Sequence, residues 1–215
     1  MTQKKILVIG AGGHARVIID CLQEAGGWEI GAVEKSGAGS GEILGRPVVG
    51  ADEDLPRLFN EGFQNVVIGV GSVGNTVVRR RIYEDLKRIG FDMPVVIHPR
   101  AVVSRHACIG EGTVIFPNAV VNPGAVIGSQ CIVNTGAIVE HDCILGNFVH
   151  TAPGARLAGT VTLEDDVHVG IGAIVRERIT IGARSLIGAG TVVVKDVEPC
   201  SVMVGAPARL IRKTE

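Results

Sequence analysis

From Ile97 onward the chain returns to a large aliphatic residue at every sixth position. The series runs Ile97, Val103, Ile109, Ile115, Val121, Ile127, Val133, Val139, Leu145, Thr151, Leu157, Leu163, Val169, Val175, Ile181, Ile187 and Val193, and only Thr151 is not Ile, Leu or Val. Four residues after most of these slots stands a small residue, as at Ala101, Ala119, Cys131, Cys143 and Ala155. Glycine often follows the slot directly, as at Gly110, Gly128, Gly146 and Gly170. A period of six is neither the 3.6 of a helix nor the 2 of a strand. It fits short strands joined by sharp corners, with the aliphatic side chain pointing inward, the small one tucked in at the corner, and glycine or polar residues turning the chain. Three such hexads close a triangular coil of 18 residues. The pattern therefore predicts a left-handed parallel β-helix of hexapeptide repeats over residues 96–215, ending in a C-terminal tail.

Residues 1–95 have a different texture. Aliphatic runs at Lys5–Ile9, Glu29–Glu34 and Val66–Val70 read as strands. Between and after them, Arg16–Ala25, Asp54–Glu61 and Asn75–Ile89 read as helices. The alternation predicts an α/β domain with a small parallel β-α-β-α-β sheet. Met93–Pro99 leads from it into the first coil.

Composition narrows the picture. Glycine is 30 of 215 residues and aromatics are 3%, so the core is built from thin layers of aliphatic and small side chains. With 21 basic and 22 acidic residues, the net charge of −1 lacks the basic footprint of a nucleic-acid binder. No apolar run reaches the roughly 18 residues of a membrane span. The five cysteines (21, 108, 131, 143 and 200) form no C-x-x-C pair. With no export signal in view, they read as free thiols in a reducing cytoplasm.

Two regions carry candidate chemistry. Gly10-Ala11-Gly12-Gly13-His14-Ala15 follows a strand and opens a helix. Such a turn lets a phosphate approach the backbone and the helix N-terminus, although any strand-to-helix turn can demand glycine. Glu34, with Lys35 beside it, stands where a ribose or base edge would be read. About 95 residues supply only one mononucleotide-binding half, which favours a nucleoside-diphosphate group over NAD. The second region is Glu140-His141-Asp142, at a β-helix corner. The residue 18 further on is Gly159, so His141 faces a notch, and a neighbouring carboxylate orients its ring and fixes its tautomer. A general base needs that arrangement; a solvated corner histidine is the plain alternative. His150 and His168 are 18 apart and stack on one side of the coil. Asn118, Asn122 and Asn134 are substrate contacts or turn formers. A zinc site of the β-helical carbonic anhydrase kind calls for histidines five apart, and the spacings here are 9 and 18, so no metal is expected.

These stretches, together with Asn134–Cys143, His150-Thr151-Ala152-Pro153-Gly154-Ala155 and the ending Val204-Gly205-Ala206-Pro207-Ala208-Arg209, resemble the sialic acid O-acetyltransferase-type sugar acyltransferases. The resemblance implies an acetyl-CoA-dependent acetyltransferase acting on the C4 amine of a nucleotide-linked 4-amino-4,6-dideoxy sugar, with GDP-perosamine as the first acceptor to consider. His141 would act as general base and Asp142 would orient it. Gly10, Gly12, Gly13, His14, Glu34, Lys35 and Asn118 would bind the nucleotide sugar. His150 would line the acetyl pocket, the Gly159 amide would face the developing oxyanion, and CoA would follow Gly172, Ala173, Gly188, Ala189 and Lys195. Hexapeptide relatives imply a homotrimer with sites between subunits. Where many relatives carry paired aspartates, this chain has Glu34-Lys35, which leaves the base open between guanine and uracil. The rival readings are O-acetylation of a sugar hydroxyl such as that of sialic acid, a UDP-linked amino-sugar acceptor, and a catalytically silent scaffold that binds nucleotide sugars.

Overall fold

The computed structural model describes residues 3–34 and 41–214 and divides them into two compact units. The first comprises residues up to Ser72 together with Val77–Pro99; the second comprises Val73–Thr76 and everything from Arg100 onward.

The first unit is built on strands β1 (Lys4–Ile9), β2 (Trp28–Glu34), β3 (Glu42–Ile43), β4 (Arg46–Ala51) and β5 (Asn65–Ile68), in the order β3-β4-β2-β1-β5. All neighbours are parallel except β3 and β4, which form an antiparallel edge that the sequence pattern did not reveal. Helix α1 (Gly13–Ala25) buries Ala15, Ile18, Ile19 and Leu22, an i, i+3, i+4, i+7 stripe. It begins three residues before the expected Arg16, because Gly12 takes an extended conformation as N-cap and His14 enters the first turn. The expected helix at Asp54–Glu61 is instead a 3₁₀ turn over Asp52–Asp54 followed by α2 (Leu55–Asn60), and α3 runs Val77–Ile89. The chain moves from β1 through α1 to β2 on one side, then from β4 through α2 to β5 on the other. The direction reverses between β1 and β5, and in open α/β sheets the ligand crevice lies outside the carboxyl ends of the strands at such a switch point.

The second unit stacks two-residue strands into three parallel sheets whose partners are 18 residues apart, such as Val120 with Ile138 and Ile132 with His150. Face 1 carries the strands at 102, 120, 138, 156, 174 and 192; face 2 those at 108, 126, 144, 162 and 180. Face 3 includes the strands at 114, 132, 150, 168 and 186, extended by Ser201–Val204 and the antiparallel Arg209–Lys213. In each strand the second residue is the aliphatic slot. From Ile115 to Val193 these slots are buried, joined by Ala119, Cys131, Cys143 and Ala173 in one continuous core. The odd slot, Thr151, is satisfied by donating to the Ile132 carbonyl at 3.3 Å. Every sixth residue from Gly112 to Gly190 has positive φ. This is why glycine and polar residues crowd the corners, since the left-handed conformation costs other residues roughly 1–2 kcal/mol.

Candidate active site

His141 and Asp142 sit on the edge between faces 1 and 2. Asp142 is one of the left-handed corner residues (φ 58). That turn brings its Oδ2 to 2.9 Å from His141 Nδ1, while both side chains stay more than half exposed. Glu140 accepts a hydrogen bond from the His141 amide at 3.3 Å. With Nδ1–H committed to Asp142, Nε2 is the free acceptor of the ring. It points at the place where Gly159 has no side chain: a Cβ built on Gly159 would lie 2.5 Å from Nε2. Gly124, one coil before Asp142, performs the same service for the carboxylate, since a Cβ there would collide with Asp142 Oδ1. The dyad thus occupies a notch cut by two glycines, of which only Gly159 is conspicuous in the sequence. The Gly159 N–H takes no part in the coil-to-coil hydrogen bonds among the described residues.

His150 lies elsewhere. It opens a strand of face 3, the face opposite the His141 edge, where it is buried. Asn134 Nδ2 lies 3.1 Å from its Nε2, and His168 packs edge-on at a centroid distance of 4.8 Å. Burial, and secondarily His150, pushes the His168 imidazole down to about 4. An unfolded histidine takes up its proton near 6.5. Between the two values the unfolded chain holds more protons, so this group's contribution to stability is lost as pH falls from about 6.5 towards 4. His168→Leu is therefore expected to flatten the fall of Tm across that window in thermal melts. A slope equal to that of the parent would show that the burial goes unfelt.

The other candidates divide by position. Lys195 follows a face 1 strand on the same edge as His141 and is exposed. Asn118, Gly172, Gly188 and Ala189 lie on the edge between faces 3 and 1. Asn118 is a corner former there (φ 58). Gly188 has a packing reason of its own, because a Cβ would come within 2.9 Å of Val204 Cγ1. Ala173 corrects the expectation: as an inward small slot it is completely buried, so its side chain cannot line a CoA surface. Cys131 and Cys143 are likewise inside, and burial pushes the Cys143 thiol up.

In the first unit, Gly10 (φ 110) ends β1 and donates to the Val33 carbonyl, next to Glu34 at the end of β2. No side chain caps α1 and its first turn carries no acid, which suits an anion near Gly12, Gly13 and His14. Lys35 lies outside the described residues. A second glycine turn, Gly69-Val70-Gly71, faces the first: Cβ atoms built on Gly10 would lie 3.3 Å from the Gly69 carbonyl, and on Gly71 3.5 Å from His14 Cβ. A cavity of about 550 Å³ opens beside it, lined by Ile9, Gly10, Asp52, Val70, Val77, Val78, Arg81, Ile82 and Asp85. Among the described residues no group of three or more His, Cys, Asp or Glu is placed to hold a metal ion, and no helix is long and apolar enough to cross a membrane.

With this geometry in hand, comparison with known proteins is informative. Residues 5–86 match the PglD N-terminal domain family. The chain is similar to the acetyltransferase domain of PglB from Neisseria gonorrhoeae in complex with acetyl coenzyme A (38% identity, TM-score 0.90, covering 98% of this chain and 100% of that one). It is similar also to PerB from Caulobacter crescentus in complex with CoA and GDP-perosamine (35% identity, TM-score 0.90, 98% and 99%). A UDP-N-acetylbacillosamine N-acetyltransferase of Bacillus subtilis is 38% identical over 115 residues, 52% of this chain, and the match spans only half the length of that relative.

Proposed function

We infer the function from one premise: the chain belongs to the hexapeptide-repeat sugar acyltransferase family of these relatives. We propose that it transfers an acetyl group from acetyl-CoA to the C4 amine of a nucleotide-linked 4-amino-4,6-dideoxy sugar. The observation that carries this reading is the His141–Asp142 dyad, whose Nδ1 is held at 2.9 Å while Nε2 faces the Gly159 notch. There the imidazole takes the proton from the amine as its nitrogen attacks the thioester carbon. The Gly159 N–H is the donor proposed for the tetrahedral oxyanion. Collapse of that intermediate forms the amide and expels the CoA thiolate, which regains the proton from His141. The nucleoside diphosphate lies at the switch point between β1 and β5, on Gly10, Gly12, Gly13 and His14, with Glu34 at its ribose or base.

A single copy cannot assemble the whole set, because the His141 edge stands opposite the face that bears His150. We therefore assign the reaction centre to the cleft between neighbouring copies in a closed homotrimer, with His141 and Gly159 from one and His150 from the next. Exposed aliphatic side chains on faces 1 and 2, among them Val102, Val126, Ile144 and Ile174, supply apolar surface for such packing. Subunit mixing tests this arrangement. His141→Asn and His150→Ala are each expected to be nearly inactive, yet after co-refolding about a quarter of the sites regain both histidines. An active His150→Ala would mean that His150 takes no part, and no recovery from two inactive variants would mean that the two histidines act within one chain.

The acceptor is GDP-perosamine in the first reading. The name of the Bacillus subtilis relative favours a second, a UDP-linked amino sugar. A thiol-release assay with acetyl-CoA and GDP-, UDP- and dTDP-linked 4-amino sugars, with free sialic acid as the hydroxyl control, decides between them. Turnover of sialic acid alone would overturn the amine assignment.

A further inference from the structure

The run Arg79-Arg80-Arg81 reads in sequence as a solvated basic face, yet Arg79 is among the most completely buried side chains, at 2% exposure. It stands in the first turn of α3 and reaches back under the end of β5. Its Nη1 donates to the Ile68 carbonyl at 3.2 Å and to the Val70 carbonyl at 2.6 Å, the two peptide oxygens that flank Gly69. Gly69 is itself wedged: its N–H donates to the Ile9 carbonyl at 2.8 Å, and a Cβ on it would lie 2.8 Å from Ala15 Cβ. Ala15 belongs to the first turn of α1. The Gly69–Gly71 turn is thus held from above by a guanidinium and pressed from below against the helix start that carries the glycine loop. A buried guanidinium is costly unless its donors are used, and here Nη1 is used on two main-chain oxygens of the turn, whose position it helps to fix.

We propose that Arg79 is a positioning residue for nucleoside-diphosphate binding: it sets the Gly69–Gly71 turn that forms the second wall of the switch-point crevice. This rests on the nucleotide-sugar reading given above. A bare packing role would lower stability and leave the two substrates equally affected. A positioning role separates them, because only the nucleotide meets this wall.

The test uses the full chain with Arg79→Met and Arg79→Lys, titrated with GDP and with UDP by calorimetry, followed by steady-state kinetics. Losing hydrogen bonds from a charged donor is expected to raise the Kd of the nucleoside diphosphate, and the acceptor KM, roughly tenfold in Arg79→Met, while the acetyl-CoA KM stays within about twofold. Arg79→Lys, which keeps the charge and one donor nitrogen in place of three, is expected to fall between that variant and the parent. Equal shifts in both KM values, or an unchanged Kd, would overturn the proposal. If Arg79→Met does not fold, hydrogen exchange of the parent protein with GDP or UDP decides. Protection at Gly69–Ser72 together with Gly10–Ala15 supports the second wall, and protection at Gly10–Ala15 alone removes it. A parent protein that binds neither GDP nor UDP would take down the nucleotide reading itself, and this proposal with it.

Discussion

Replacing His141 by Asn is expected to lower kcat by at least about 10², the lower end of what a positioned general base contributes. Asn preserves a polar side chain that can still donate to Asp142, but it cannot accept a proton. The ring is more than half exposed, and its one side-chain partner among the described residues is Asp142 at 2.9 Å, so nothing in the described core depends on it. Tm, oligomeric state and the KM for acetyl-CoA should therefore stay close to those of the parent. Measured with the best acceptor from the nucleotide-sugar panel, near-full activity in His141→Asn would dismiss this residue as the base. A collapse of Tm would show that the corner is structural and would leave the kinetics unreadable; on the contacts observed, that collapse is not expected.

The β-helix was legible because an 18-residue coil converts sequence spacing directly into position. Gly159 stands over His141, and His168 over His150, by arithmetic alone. The same arithmetic holds the fact that resemblance obscured: His141 and His150 are nine residues apart, half a coil, so they cannot share an edge. Ala173 was misassigned for a related reason. It occupies the inward small slot of its hexad, and the repeat already implies that its side chain is spoken for.

The first unit was harder to read because its site depends on strand order. The run Val66–Val70 looks like one aliphatic strand, so Gly69 disappears into it. Only the insertion of β1 between β2 and β5 turns Gly69-Val70-Gly71 into a wall facing Gly10. Which of three consecutive arginines turns inward is likewise decided by how α3 packs near the end of β5. Short strands such as β3 leave too few residues for a period-2 pattern to show.

Gly159→Ala tests the notch from the other side. The added methyl would lie 2.5 Å from Nε2 and 2.6 Å from Cε1 of His141, closer than real side-chain atoms approach, so the ring must move. The atoms that must yield are the far end of an exposed side chain. Unlike Gly124, Gly159 does not hold a positive φ that alanine would strain. The fold should therefore tolerate the substitution, with Tm little changed, while the base is displaced by about an ångström, a misplacement that can cost about 10² in rate. Gly124→Ala provides the contrast. There the methyl meets the Asp142 carboxylate and the backbone sits at φ +77, so both rate and Tm are expected to fall. Kinetics and melts on the two variants separate the effects. A Gly159→Ala enzyme at parental rate would mean that His141 works equally well from a second rotamer, and the notch would lose its place in the chemistry. A rate loss in Gly159→Ala without loss of Tm ties the missing side chain at residue 159 to the chemistry of the notch, where the His141 ring and the Gly159 N–H meet, because backbone strain and core packing are left unchanged.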